Sequence, residues 1–161
     1  MRQDLTTDTV ERYIEASPES LYNFIADVTR TPELTPDIVK VVWLDGATEA
    51  KVGARFKATN TVGHGPKWNN KPVFVTVDPG KEIAWARTEV LAGTVEWRYR
   101  FVPEGSGTRV IESYEVTKPL TLLGWFLIGT LFGMKDRKSD LRTSMEASLG
   151  RLAELVEQPV R

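Results

Sequence analysis

Polar and apolar positions change period along the chain, and the changes divide it into predicted elements. Residues 9–16, TVERYIEA, alternate well enough for a β-strand. The next segment, SPESLYNFIADV, offers Ser17 as an N-cap before Pro18, and its apolar residues recur at helical spacing. A helix is therefore predicted after the first strand, and the two prolines of TRTPELTPD predict a short broken helix or a loop after that helix.

The middle of the chain has a period of two, which is typical of antiparallel strands. Four strands are predicted in the segments IVKVVWLDG, GARFKATNTV, KPVFVTVDPG and EIAWARTEV. A hairpin is predicted over TVEWRYRFVPEGSGTRVIESYEV, with its turn at Pro103–Gly107 and its returning strand at Thr108–Val116. The order is thus one strand, one or two short helices and about six antiparallel strands.

The last element is predicted to be a long helix that ends before Pro159. Its apolar residues fall on one stripe, at Leu141, Met145, Leu149, Leu152 and Val156. The whole order predicts an α+β fold in which a curved antiparallel sheet of about six or seven strands wraps around this helix. We expect one domain over residues 1–161, with its core at about residues 9–157, and a space between sheet and helix.

Composition narrows the classes of function. The 161 residues are 41% hydrophobic and 27% charged, which is typical of a globular protein. A net charge of -1 gives no basic excess for nucleic acid, and the lack of cysteine excludes disulfides and thiolate chemistry. A single histidine excludes a histidine-based metal cluster, so neither a metal nor a cofactor is expected. The polar N-terminus has no signal-peptide core, and a cytoplasmic location is expected.

One segment, Pro119–Met134, is uncharged and strongly apolar. Its 16 residues include Gly124, Gly129 and Gly133, and crossing a membrane takes roughly 20 apolar residues. A segment that is apolar on every side is expected to be buried on every side. It could form the wall or lid of a cavity or ordinary core. Flanking lysines and Trp125 also allow contact with a membrane surface or a second copy.

Several stretches resemble one superfamily in the same order along the chain. They are IEASPESLYNFIADV, TPDIVKVVWLDG, VGARFKATN, VTVDPGKEIAWA, WRYRFVPEGSGTRVIESYEV and the terminal amphipathic helix. They are similar to the START-like, or Bet v 1-like (SRPBCC), superfamily, in its bacterial polyketide cyclase/dehydrase and lipid-transport-like branch. The resemblance covers about residues 9–157 and implies the helix-grip fold. It also implies that the segment before the last helix closes a ligand cavity, although fold alone does not settle function.

Candidate chemistry lies mainly on the returning strand of the hairpin. Glu112 and Tyr114 share one face of RVIESYE. If this face points inward, Glu112 is a buried carboxyl with a raised pKa that could act as a general acid or base. If it points outward, Glu112 faces solvent or pairs with Arg98 or Arg100 on the neighbouring strand. The sequence leaves both alternatives open.

Three further polar residues are candidates for the site. Arg12 shares a face with the apolar residues of the first strand, so it could hold a ligand carboxylate, pair with Glu112 or lie at the surface. Asn60 continues the face of Phe56 and could donate a hydrogen bond to a ligand. His64 lies between two glycines and before a proline, which predicts an exposed turn; proton transfer at the cavity mouth is the alternative.

The leading hypothesis is that the protein binds a small hydrophobic ligand such as a lipid, an isoprenoid or a polyketide-like molecule. The alternatives are a cyclase or dehydratase in which Glu112 or His64 moves protons, and an interaction module that docks through residues 119–134. No phosphate loop, HExxH or GxSxG motif indicates an enzyme. The chain is expected to be a monomer or a homodimer, with at most weak contact with a membrane surface. The predicted ligand-binding residues are Arg12, Phe56, Asn60, Trp97, Tyr99, Phe101, Glu112, Tyr114, Leu123 and Leu127.

Overall fold

A computed structural model describes residues 5–62, 65–89, 93–130 and 136–157, and its elements follow the predicted order. They are β1 (Thr7–Ile14), α1 (Pro18–Ala26), a 3-10 helix (Val28–Glu33), β2 (Ile38–Trp43), β3 (Phe56–Asn60), β4 (Trp68–Asn70), β5 (Val73–Asp78), β6 (Glu82–Glu89), β7 (Gly93–Glu104), β8 (Gly107–Lys118), α2 (Leu122–Thr130) and α3 (Arg137–Val156). The α+β class and the antiparallel sheet are confirmed.

The strands form two antiparallel groups that are joined by backbone hydrogen bonds. Five strands pair in the order β1-β8-β7-β6-β5, and three pair in the order β2-β3-β4. The amide of Phe74 donates to the carbonyl of Ala54 (3.0 Å), and the amide of Phe56 donates to the carbonyl of Pro72 (3.2 Å). These bonds lie beside an isolated bridge from Arg55 to Val73. The two groups therefore continue into each other around one concave surface.

The first helix forms for the reasons that its sequence indicates. Ser17 Oγ accepts a hydrogen bond from the amide of Ser20 (3.1 Å), and Pro18 occupies the first helical position. Leu21 and Ile25 on its inner face are buried. The predicted broken helix that follows is the 3-10 helix, which contains Pro32.

The long helix α3 packs its apolar stripe against the sheet. Leu141, Met145, Leu149 and Leu152 are all buried, as the spacing predicts, whereas Val156 at the end of the stripe is half-buried. The Asp136 side chain caps the first turn by accepting from the amide of Ser139 (3.2 Å). The helix contacts β1 and β8, so it lies across the concave side of the larger strand group.

The hairpin turn is narrower than the predicted Pro103–Gly107. Pairing continues until Glu104 lies opposite Gly107, which leaves a loop of two residues, Gly105 and Ser106. Gly105 has a φ of +56°, a conformation that such tight turns require and that glycine adopts without a Cβ clash. The local backbone thus extends both strands beyond the predicted boundary.

The apolar segment before α3 is not buried on every side, and that expectation was wrong. Leu120 and Trp125 are buried, whereas Leu122 is 75%, Leu123 54% and Phe126 58% exposed. The reason is that α2 lies at the edge of the fold, where one of its faces packs inward and the other faces solvent. Leu131, Phe132 and Met134, which also belonged to this prediction, lie outside the described residues. Within the described ranges, no helix combines the length and apolar character needed to cross a membrane.

Candidate functional site

A cavity of about 440 Å³ lies between the concave side of the sheet and the helices α2 and α3. This volume is within the range of pockets that hold small organic ligands. The inward faces of β2 to β4 and β6 to β8 contribute to its wall, and α2 contributes Gly124 and Leu127. The cavity therefore occupies the place where a curved sheet and one covering helix do not fill the space between them.

Aromatic side chains form much of the wall. Trp85 packs edge-on against Phe56 with ring centroids 5.9 Å apart, and it lies 5.9 Å from the ring of Tyr99. Trp97 lies 5.4 Å from Tyr114 on the neighbouring strand. Because these rings support one another across several strands, they provide a large apolar surface that loses little conformational freedom when a ligand binds.

Glu112 is buried in this wall. The register of β7 and β8 places Glu112 opposite Tyr99, and its side chain is 4% exposed. The Tyr99 hydroxyl donates a hydrogen bond to Glu112 Oε1, while Oε2 has no hydrogen-bond partner among the described residues. Burial raises the pKa of Glu112 to about 8, although the bond from Tyr99 acts in the opposite direction. At neutral pH the carboxyl is therefore mostly protonated.

The alternative in which Glu112 pairs with Arg98 or Arg100 is wrong, because alternate residues of a strand point to opposite faces. Arg98 Nη1 donates to Glu82 Oε1 (2.5 Å), and Arg100 Nε donates to the same oxygen (3.0 Å) on the outer face. Arg98 also donates through Nη2 to Glu96 Oε1 (2.5 Å). The arginines have their own carboxylates, and Glu112 lies on the other side of the sheet.

Tyr114 places a second polar atom in the cavity. It is 1% exposed, and its hydroxyl has no hydrogen-bond partner within the described part of the chain. Tyr114 and Glu112 lie on the same face of β8, two residues and therefore about 7 Å apart along the strand. Burial is the main cause of the raised pKa of Tyr114, so this hydroxyl keeps its proton and can donate as well as accept.

A second polar group, absent from the predicted site, lies at the end of β6. Arg87 Nη1 lies 3.7 Å from Glu89 Oε2, which is within ion-pair distance but beyond a hydrogen bond. Both residues line the cavity, as does Arg137 at the start of α3. Ile83, Trp85, Arg87 and Glu89 share one phase of the alternation in EIAWARTE. Because Ile83 is fully buried, the shared phase places Arg87 and Glu89 on the inward face of β6. This alternation is the sequence signal that could have identified them.

Five buried side-chain atoms lack a hydrogen-bond partner in the described ranges, and all five belong to residues of the cavity wall. They are Asn70 Oδ1, Arg87 Nη1, Glu89 Oε1, Glu112 Oε2 and Tyr114 Oη. Buried polar atoms in folded proteins are almost always paired with protein, water or a bound molecule. Because these atoms are concentrated around the cavity, a molecule bound there could supply their missing hydrogen-bond partners.

Seven of the ten predicted ligand-binding residues line the cavity. They are Phe56, Asn60, Trp97, Tyr99, Glu112, Tyr114 and Leu127. Asn60 Nδ2 also donates to the backbone carbonyls of Ala58 (3.2 Å) and Trp68 (3.4 Å). His64 lies outside the described residues.

The other three lie elsewhere. Arg12 is exposed, and its guanidinium lies beside Gly150 of α3; a long cationic side chain can reach solvent although its strand neighbours are buried. Phe101 is buried against Tyr22 of α1, with ring centroids 6.0 Å apart, and so belongs to the core. Leu123 is on the exposed face of α2. Among the described residues, no three carboxylate, imidazole or thiol groups cluster as metal ligands would.

Comparison with known proteins follows the same outline. Residues 6–157 match the protein family described as polyketide cyclase/dehydrase and lipid transport. The chain belongs to this family. This membership confirms the predicted resemblance to the START-like, or Bet v 1-like, superfamily in its polyketide cyclase/dehydrase and lipid-transport-like branch. No functionally curated protein matches the sequence.

Solved structures of similar fold have low sequence identity to this chain. The di-domain ARO/CYC protein StfQ of the steffimycin biosynthetic pathway aligns with a TM-score of 0.75 at 14% identity. The alignment covers 94% of this chain and 50% of StfQ, so the chain spans half the length of that protein. A START superfamily protein from Mycobacterium smegmatis aligns with a TM-score of 0.70 at 16% identity, covering 96% and 99% of the two chains. Major latex-like protein 151 from Panax ginseng aligns with a TM-score of 0.69 at 15% identity, and the alignment covers 93% of this chain and 96% of that protein. At these identities the likeness concerns the fold.

Proposed function

We propose that the protein binds a small hydrophobic ligand, such as a lipid, an isoprenoid or a polyketide-like molecule, in the cavity between the sheet and α3. One observation carries the proposal: among the described residues, the buried side-chain polar atoms that lack hydrogen-bond partners all belong to residues around one cavity with an aromatic wall. An ordinary core would pair such atoms or replace them with apolar groups, because each costs about 1–3 kcal/mol when it is buried alone.

The wall suits a ligand that is mostly apolar and carries a few oxygens. The aromatic rings would supply affinity by removing apolar surface from water. Glu112, protonated at neutral pH, would donate a hydrogen bond to a carbonyl or hydroxyl oxygen of the ligand. The Tyr114 hydroxyl would hold a second oxygen on the same side. Membership in a family that includes polyketide cyclases and lipid carriers supports this class of ligand.

The helix α2 would cover the entrance. Gly124 and Leu127 face the cavity, and Leu120, just before the helix, is buried beside it. Glycine at position 124 lets the backbone of α2 come close to the ligand space. The arrangement supports a lid in which one face of the helix contacts the ligand and the other remains outside.

Native mass spectrometry of gently purified protein tests the proposal first. We expect one hydrophobic adduct per chain, which can be identified after denaturation. Binding of Nile red, a neutral dye that fluoresces in apolar surroundings, then locates the site. Ala58→Leu should reduce dye binding, because Ala58 is buried in the wall and a larger side chain fills the cavity. Trp97→Ala and Glu112→Gln should weaken binding of the identified ligand.

The matched control is Arg98→Gln, which lies between two wall residues on β7 but points to the outer face. It should bind the dye as the unaltered protein does. Equal dye binding by Ala58→Leu and by the unaltered protein would place the dye outside the cavity and would contradict the proposal.

A specific observation also favours an enzyme of the cyclase or dehydratase type. Glu112 combines a pKa of about 8 with a cavity-facing oxygen that has no hydrogen-bond partner in the described ranges, as suits a general acid or base. The test is solvent deuterium incorporation next to the carbonyl of a long-chain methyl ketone, followed by NMR. We expect a rate that rises with pH toward about 8 and falls roughly 100-fold or more in Glu112→Gln. Equal rates with and without the protein would exclude this activity for such substrates.

A further inference from the structure

Two arginines, Arg87 and Arg137, line the cavity, and Arg87 lies far from Glu112 along the sheet. Arg87 lies opposite Val95 in the pairing of β6 with β7, whereas Glu112 lies opposite Tyr99. Val95 and Tyr99 are four residues apart on β7, which is about 13 Å along the strand. The cavity thus has Glu112 toward one end and Arg87 toward the other, with Trp97 and Tyr114 between them.

Arg87 is held less firmly than the arginines outside. Its side chain is 18% exposed, its contact with Glu89 is 3.7 Å, and Nη1 has no hydrogen-bond partner in the described ranges. Arg98 on the outer face donates to two carboxylates, each at 2.5 Å. A guanidinium matches a carboxylate or phosphate through its fixed fork of donors. The fork of Arg87 therefore has donor capacity that the described residues leave unused.

Arg137 places a second guanidinium at the same end. It is half-buried at the first residue of α3, where the helix dipole is positive, and it lines the cavity. Burial lowers the pKa of Arg137, and the charge of Arg87 lowers it further, although Asp37 and Asp140 act in the opposite direction. Burial likewise lowers the pKa of Arg87 despite Glu89. The two guanidiniums therefore lie close enough for each charge to influence the other.

We propose that Arg87 and Arg137 form an anion-recognising end of the cavity, so that the ligand is an amphipathic acid. Its carboxylate or phosphate group would lie between the two guanidiniums, and its apolar body would extend along the aromatic wall toward Glu112. This inference rests on the proposed binding function and names the chemical class of the ligand.

Removing the charge of Glu89 is expected to change the affinity for an acid in the direction opposite to removing the charge of Arg87. Its carboxylate faces the same space and partly neutralises Arg87 in the absence of ligand. A bound anion competes with Glu89 for the guanidinium and is repelled by it. Removing this charge should therefore strengthen binding of an acid, while removing the charge of Arg87 should weaken it.

The test compares decanoate, decyl phosphate and decanol, which share one chain and differ in the head group. Titration calorimetry on the full chain, below the micelle concentration, gives the three affinities. We expect at least one of the two acids to bind roughly tenfold or more tightly than decanol. The stronger of the two identifies carboxylate or phosphate as the group recognised. Arg87→Gln should lose this preference, Glu89→Gln should increase it, and Arg98→Gln, the matched loss of charge on the outer face, should keep it.

Each outcome bears on the inference. Equal affinity for decanol and both acids, or a preference that survives in Arg87→Gln, overturns the anion site and leaves the hydrophobic cavity in place. Weaker binding of the acids in Glu89→Gln also overturns it, because the Glu89 carboxylate would then favour the bound head group and not repel it. Failure of all three molecules to bind overturns the binding function together with the inference.

Discussion

The two faces of the hairpin formed by β7 and β8 treat polar groups in opposite ways. On the outer face, Arg98 and Arg100 share Glu82, at 2.5 and 3.0 Å. On the inner face, Glu112 and Tyr114 of β8 keep polar atoms without partners in the described structure. The outer charges serve a water-exposed surface. The inner groups cost stability, so their presence is better explained by what the cavity binds.

The difference is clearest in two carboxyl groups of the same sheet. Partial burial tends to raise the pKa of Glu82, but hydrogen bonds from Arg98 and Arg100 outweigh it and lower the pKa. Burial dominates at Glu112 and raises its pKa to about 8. The same residue type is therefore an ionised surface group on one face and a neutral hydrogen-bond donor on the other.

Glu112→Gln should have the largest effect on stability. Because its folded pKa of about 8 exceeds the ordinary 4.5, the contribution of Glu112 is complete below about pH 4.5 and is lost as the pH rises through about 8. The free energy of unfolding should therefore fall between about pH 5 and about pH 9, by roughly 3–5 kcal/mol relative to Glu112→Gln. Urea denaturation across this range measures the difference.

The same series contains its own check. At about pH 4, below the ordinary pKa of 4.5, the Glu112 carboxyl is mostly neutral in both the folded and the unfolded state, so the unaltered protein and Glu112→Gln should have similar stability. A constant difference across the whole pH range would mean that the Glu112 carboxyl does not titrate differently in the folded and unfolded states.

Tyr114→Phe, a substitution on the inner face, should have an intermediate effect on stability. The variant removes a buried hydroxyl that has no partner in the described ranges and with it the desolvation penalty, so we expect a gain of about 1 kcal/mol without ligand. Affinity for an oxygen-bearing ligand should fall in the same variant. Tyr99→Phe is the contrast, because it removes a hydroxyl that donates to Glu112 and should lower stability. A loss of stability in Tyr114→Phe would show that its hydroxyl has a partner in solution.

Glu82→Gln, a substitution on the outer face, should have a smaller effect on stability. Its lowered pKa means that its contribution is present above about pH 4.5 and is lost as the pH falls through its folded pKa. The Glu82 side chain is 26% exposed, so solvent and salt screen the pair and the expected loss is about 0.5–1 kcal/mol. Thermal melts at low and high salt check it, and a loss that high salt leaves unchanged would contradict the screening argument.

Leu123→Ser with Phe126→Ser should have the smallest effect on stability. Both side chains are more than half exposed on α2, so the free energy of unfolding should change by about 0.5 kcal/mol or less. If this apolar face contacts membranes, which the flanking lysines would favour, the double variant should bind liposomes less well than the unaltered protein. Sedimentation with vesicles measures it, and Leu127→Ser, which alters the cavity side of α2, is the matched comparison. Unchanged sedimentation in the double variant would exclude the face as a membrane contact.

Local chemistry made much of the fold predictable. The N-cap at Ser17, the stripe of α3 and the long alternation of β7 and β8 each depend on neighbouring residues, and each formed as predicted. The short strand β4 was missed because three residues, WNN, show no period. The exposure of Leu122, Leu123 and Phe126 was missed for a different reason, since hydrophobicity alone does not tell where an element lies relative to the edge of the fold.

The site was predictable where strand phase decides the direction of a side chain. Glu112 follows the phase of Val110 and Tyr114, both of which are buried. Arg12 has an inward phase and still reaches solvent beside α3, because helix packing and side-chain length override the alternation. Arg87 and Arg137 come together from β6 and α3, and no spacing within the sequence indicates that they meet.

The raised pKa of Glu112 links ligand binding to proton uptake. At pH 8 about half of the molecules carry an ionised Glu112. A ligand oxygen that accepts a hydrogen bond from the protonated carboxyl selects the other half and draws a proton from the buffer. The heat of binding near this pH will therefore depend on the ionisation enthalpy of the buffer. Above it, apparent affinity for such a ligand will fall about tenfold for each further pH unit.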